Sequence, residues 1–256
     1  MNTPTLSPSL QAASLVIQRI ITTASSLIGL GALAYIIGWQ ESSTYFSNFG
    51  APWVTNLLST ARIMQTSAWV AWISIFFMLS CIISLAEGAT HKSMRWQAII
   101  TLGIGICLTS LDAFELLTVS LKARALLMGL GAILFAISTG FTLGEVIARF
   151  KEDKFRWSAY HLYLLIFSIS LAFNWSPTKM GEARAKLSMD SQSTSLPVVE
   201  LTNVDSQHTW HLLDVTDGNA ILVFLAPTPE QRLFRVIPFT EIKSIRTTSH
   251  EVKNET

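Results

Sequence analysis

Asp112 and Glu115 are the residues of this 256-residue chain whose type and spacing most directly suggest chemistry. Three positions apart in an otherwise apolar run, they share one helix face, where two carboxylates could guide a cation or relay protons. The run has little room, however. Residues 97–146 must hold two helices and a turn, which brings both carboxylates close to a helix end and to Lys122 and Arg124, so interfacial charge is the plainer reading. Glu145 has Arg149 four positions on, the spacing of an ordinary helical ion pair. An enzyme acting on lipid could use Glu145 with His161, but nothing in their spacing brings the two together.

His208 and His211 are neighbours in a stretch of strand character, and three positions along a strand place them on opposite faces, which argues against a shared metal. Cys81 and Cys107 both sit in apolar runs, where a thiol behaves as a small hydrophobe. The sequence carries no Ser-His-Asp set, glycine-rich phosphate loop, CxxC or HExxH, so no cofactor and no metal are expected. With a formal net charge of +1, no nucleic acid is expected either.

What must position these residues is set by composition. Half the residues are apolar and 14% are charged, against about 25% charged in an average soluble domain. A bilayer core of about 30 Å needs about 20 mostly apolar residues in a helix, and five runs approach that length: 20–39, 68–86, 97–119, 125–146 and 157–175. Each is apolar all round, which suits lipid or a packed bundle. Seven of the eight tryptophans lie near run ends, and Trp39, Trp53, Trp157 and Trp175 are expected as anchors at the headgroups. The tail before Gln18 lacks Lys and Arg, so the first run is expected to be an uncleaved anchor. Residues 40–67 are expected either to lie in the interface, with 54–64 helical, or to form a plain loop.

Five crossings with the N-terminus inside give seven Lys and Arg on the inner face and six on the outer. The cluster Arg149, Lys151, Lys154, Arg156 and the position of Arg19 favour an inside N-terminus and an outside C-terminal module. If residues 157–175 lay along the interface instead, the module would be cytoplasmic and the count ten against three. Gly140 and Gly144 form a GxxxG pair expected to serve helix packing, within the chain in the first instance. No broken-helix repeat of the transporter kind is visible.

Residues 176–195 turn polar, with Pro177, Gly181 and several Ser and Thr, and read as a linker. A small all-β domain is expected over 196–248, with a tail at 249–256. Its stretches are 198–201, 209–215, 220–225, 234–237 and 241–245, with Asp217-Gly218 as a hairpin turn and 238–241 as a tight turn. Five such strands suffice for a closed SH3-like or Sm-like barrel. Arg232, Arg235, Lys243 and Arg246 give it a basic edge that could meet anionic lipid.

The segment Tyr45-Phe46-Ser47-Asn48-Phe49-Gly50 after the first run, the helices that follow and the β-rich tail resemble small bacterial inner-membrane subunits of antiphage defence systems of the Kiwa type. That resemblance implies a membrane subunit in such a system and carries over no functional residue. The expectation is therefore an α-helical polytopic membrane bundle over residues 1–175 with an appended β-module, a non-enzymatic sensor or scaffold that oligomerises and binds a partner protein, another copy or the membrane surface through that module. A small pore built on Asp112 and Glu115, and a lipid enzyme, are the alternatives.

Overall fold

The computed structural model describes residues 8–113, 120–151, 159–190, 196–202, 208–226 and 228–246. The chain is mostly helical and closes with a five-stranded antiparallel sheet. The helices are α1 (Pro8–Phe49), α2 (Thr60–Ala86), α3 (His91–Ala113), α4 (Leu121–Lys151), α5 (Ala159–Ser170) and α6 (Ser176–Met189). A 3-10 segment, Pro52–Leu57, joins α1 to α2, and a π turn, Leu171–Trp175, carries α5 into α6 without leaving helical backbone.

Side-chain pairings fix the directions. Arg95, Ala98 and Thr109 of α3 meet Glu145, Ser138 and Gly131 of α4, so these helices are antiparallel. Glu145, Thr139 and Phe135 of α4 meet His161, Ser168 and Trp175, so the α5 rod is antiparallel to α4 as well. Gly140 and Gly144 meet α2 first at Ser74 and then at Cys81, which makes α2 and α4 parallel. Gln40 and Tyr45 meet Thr178 and Ser188, so α1 and α6 run together. The result is five rods of alternating direction, with the start of α1 at the opposite end of the bundle from the sheet.

Two of the described helices are long and apolar enough to cross a membrane, Thr60–Ala86 and Leu121–Phe150, where the sequence reading expects five. Of the other runs, the fifth is divided by its π turn. The first and third belong to helices whose side chains are described from Ile28 and up to Ser110 respectively.

Helix α1 has 42 residues and spans roughly 63 Å at 1.5 Å per residue, well beyond the apolar run that ends at Trp39. Its last ten residues and α6 form a stalk. Residues 176–189 are therefore helix, not linker. Polarity misled here because it marks exit from the apolar zone, while Pro177 is accommodated directly after the π turn within continuous helical backbone. Thr178, Gly181, Ala185 and Ser188, spaced three and four apart, give α6 a face of small residues. At Gly181 a Cβ would lie 2.5 Å from the Glu41 carbonyl oxygen, so the stalk helices meet backbone to backbone.

The strands are β1 (Val198–Leu201), β2 (Trp210–Thr216), β3 (Asn219–Phe224), β4 (Leu233–Pro238) and β5 (Ile242–Arg246), in the order β4-β3-β2-β1-β5. They match the five expected stretches closely. Asp217 and Gly218 turn β2 into β3 with φ of 40° and 84°, as a two-residue hairpin with both central residues left-handed requires. Among the described residues the strands form one five-stranded antiparallel sheet in which β4 and β5 do not pair, and side chains of all five strands share a core around Leu222. The two edges of the sheet are joined by the 3-10 turn Phe239–Glu241.

Strand β3 is buried on both faces. Ala220 and Leu222 pack with Val199, Trp210 and Ile237, whereas Ile221 and Val223 pack with Phe46, Phe49, Val54 and Leu58. A bulge in β2 between Leu212 and Asp214 turns Leu213 into that second cluster. Of the segment expected in the interface or as a loop, Val54 and Leu58 are covered by the sheet, whereas Trp53 and Leu57 stay exposed.

Candidate functional site

The richest polar chemistry lies at the joint between stalk and sheet. The chain end of α1 is closed by a glycine cap: Gly50 has φ of 89°, its N–H reaches the Ser47 carbonyl at 3.0 Å, and the Ala51 N–H reaches the Phe46 carbonyl at 2.9 Å. The Asn48 and Phe49 carbonyls remain, and Arg232, just before β4, donates from Nη1 to both at 3.1 Å. A cation at the negative end of a long helix is favourable both as hydrogen-bond donor and as charge. Burial lowers the Arg232 pKa from its ordinary value, with Glu230 opposing that shift. Two further ties hold the same corner: Thr216 Oγ1 donates to the Leu57 carbonyl, and Trp53 stands edge-on to Phe234 with centroids 6.1 Å apart.

Inside the stalk, Glu41 is 1% exposed. Its Oε1 accepts Arg184 Nη1 at 2.8 Å and its Oε2 accepts the Ser67 hydroxyl at 2.5 Å, joining α1, α6 and α2 through one carboxylate. A buried carboxylate is tolerated when paired and hydrogen-bonded in this way. Arg184 also lies 5.4 Å over the Tyr45 ring, and burial raises the Tyr45 pKa from its ordinary value. Nearby, Arg62 Nη2 meets Asp214 Oδ1 at 3.2 Å, tying the first turn of α2 to β2. Between these groups opens a cleft of about 620 Å³ lined by Tyr45, Arg62, Arg184, Ser188, Leu213 and Asp214, among others.

A second polar cluster lies at the far end of the bundle. Glu145, 2% exposed, accepts Arg95 Nη2 at 2.7 Å and Arg149 Nε at 3.0 Å, and His161 Nε2 is 4.0 Å from its Oε1. The Arg149 pair expected from spacing is present, and the fold also brings Glu145 and His161 together. The two guanidinium groups share the one carboxylate and brace α3 against α4 beside His161 of α5.

The other expected positions are distributed as follows. Asp112 lies in the last turn of α3 with its side chain outside the described residues, and Glu115 and Trp157 are wholly outside them. Gly140 and Gly144 pack against α2, where a Cβ would run into the Ser74 and Met78 carbonyl oxygens. Trp39 and Trp53 are exposed, whereas Trp175 packs on Phe135 inside the bundle. His208 stands edge-on to Phe224, and His211 Nδ1 faces the Leu196 carbonyl at 3.4 Å, so the two histidines have separate surroundings. Of the expected basic edge, Arg232 caps α1 and Arg246 pairs with Glu200 at 2.8 Å.

Sequence reasoning missed Glu41, Arg184, Asp214 and the capping role of Arg232. The small-residue spacing of α6 and the unbroken apolar run of β3, which signals burial on both faces, were the available signs. No family model matches the chain, and neither a characterised protein nor a solved structure shows significant similarity to it, so its function is argued from this geometry.

Proposed function

We propose that the chain is a non-enzymatic sensor or scaffold subunit of a bacterial inner membrane, with five crossings, an inside N-terminus and the sheet outside. Exposed apolar side chains support the membrane setting. Trp72, Phe76, Leu79 and Ile83 form an exposed stripe down α2, and Ile100 and Ile104 on α3 and Tyr163, Ile166 and Phe167 on α5 are exposed as well, surfaces suited to lipid and costly in water. The antiparallel run of α5 along α4 supports a fifth crossing over a segment lying in the interface. The resemblance of residues 45–50 and the order of elements to antiphage membrane subunits supports a defence setting.

The observation that carries the reading is the packing of Ile221 and Val223 on Phe46, Phe49, Val54 and Leu58. Whatever binds and displaces the sheet must move the ends of α1, α2 and α6 with it, because one apolar core belongs to both. The exposed surface of the β-module around Leu233, Val236 and Ile245 is the partner-binding face, and the bundle self-associates. Cysteine crosslinking of the full-length protein in native membranes tests this. Higher-order species whose pattern changes with Arg232→Ala are expected; a chain that stays monomeric and captures no partner in both forms would overturn it.

A further inference from the structure

We propose that the cleft between α6, the first turn of α2 and β2 binds a phosphate-bearing anion. This deepens the sensor reading, on which the role of the ligand, but not its binding, rests.

The cleft, of about 620 Å³, falls within the usual range of roughly 300–1,000 Å³ for small-ligand sites. Arg62 and Arg184 enter from two different helices, each with its side chain 53% exposed, and each spends one nitrogen on a carboxylate behind it. Those carboxylates are shielded: Asp214 is 14% and Glu41 1% exposed at the side chain. Both are already engaged. Asp214 Oδ1 also accepts the Val215 N–H at 2.8 Å, and Glu41 Oε2 takes Ser67.

A guanidinium has five N–H donors in a planar fork, so each arginine keeps donors beyond the one used, held in place by its buried partner. Tyr45, whose hydroxyl donates to Ser188 Oγ at 3.5 Å, lines the same wall. The entering group therefore meets fixed guanidinium donors, with both Glu41 oxygens engaged behind Arg184 and Asp214 Oδ1 accepting twice behind Arg62, a pattern that suits a tetrahedral oxyanion. Leu187, Leu196, Leu212 and Val215 line the remainder, leaving room for an apolar body attached to the anion.

Depth points the same way. Gly38, one residue before the end of the first apolar run, abuts the Ile63 carbonyl, so neighbouring Arg62 stands level with Trp39. In the five-crossing arrangement that is headgroup height. The same chemistry is offered there by acidic phospholipid headgroups and by soluble phosphate compounds.

The test is thermal denaturation of the detergent-purified full-length protein against inorganic phosphate, dihexanoyl phosphatidic acid and, at matched ionic strength, sodium chloride. A saturable rise in Tm with phosphate is expected for a soluble ligand, and a rise with phosphatidic acid alone identifies the headgroup as the source. Arg62→Gln should weaken the response at least tenfold, and Lys243→Gln, away from the cleft, should leave it unchanged. Arg184→Gln exposes Glu41 to loss of its partner, so Arg62→Gln is the deciding variant. No response beyond that to chloride, or an equal response in Arg62→Gln, overturns the site. Binding that persists with no effect on crosslinking in membranes upholds the site and removes the sensor role.

Discussion

Arg232 lies 3.1 Å from the Phe49 carbonyl oxygen, so a side chain 183 positions further along the chain closes the end of α1. The sheet is thereby joined to the longest helix at its electrostatically negative tip as well as through apolar packing. Each fastening uses a group the helix must satisfy in any case, since the last carbonyls of a helix have no partner within it.

Replacing Arg232 by Ala is expected to lower stability by about 1–3 kcal/mol, the range for losing charge-assisted hydrogen bonds to buried acceptors. Arg232→Lys should recover part of this, because an ammonium restores charge but not the fork. Hydrogen exchange locates the effect: protection should fall at Ala51 and Val54, whose amides belong to the cap and the turn after it. Unchanged exchange there would detach Arg232 from the joint.

Gly181→Ala should drive α6 away from α1, because the added carbon would sit 2.5 Å from the Glu41 carbonyl and 3.0 Å from Thr44 Cβ. Backbone cannot yield as a flexible side chain can, so a loss of about 1–3 kcal/mol is expected. Gly29→Ala, with open space around the position, is the matched control. Equal melting of the two variants would mean that the stalk is looser than the contact requires.

How much of this was legible follows from the kind of signal each part emits. The Asp217-Gly218 hairpin and the strands around it are local, and the sequence reading places them within a residue or so. The joint is not local: Glu41 meets Arg184, and Arg62 meets Asp214, across 143 and 152 positions. A polar stretch such as 176–189 has the composition of a linker until its small residues are seen at helical spacing. Leu213 reaches the stalk only because a bulge breaks the alternation, which no pattern of period two could have anticipated.

At the far end of the bundle, Glu145→Gln should cost more than the loss of either arginine. The substitution leaves Arg95 and Arg149 facing each other without their shared anion, an uncompensated arrangement worth about 3 kcal/mol. Arg95→Gln leaves Glu145 paired with Arg149, and about 1 kcal/mol is expected. Comparative melting of the three forms decides; the reverse order would mean that the carboxylate is better neutral in place.

Tyr45 provides a pH dependence whose direction is set by burial. Its pKa is raised above the ordinary 10.0 because the phenolate would be desolvated. The folded state thus holds the proton more tightly than the unfolded state. The stabilisation is fully present below pH 10.0 and disappears as pH climbs through the folded value. Denaturation midpoints should fall more steeply above pH 10.0 in the wild type than in Tyr45→Phe. Parallel curves would show that the ring is hydrated in the folded protein.

The membrane setting makes a further demand on the two thiols. Cys107 is exposed on α3 and Cys81 is buried between α2 and α4. In water the exposed thiol would be open to a soluble reagent. If lipid surrounds α3 at that level, the bilayer keeps a water-soluble reagent from the sulfur although no protein covers it. A water-soluble maleimide should therefore label neither cysteine in intact membranes, and both after denaturation. Rapid labelling of Cys107, with Cys107→Ser abolishing the signal, would place α3 in water and remove the basis for five crossings.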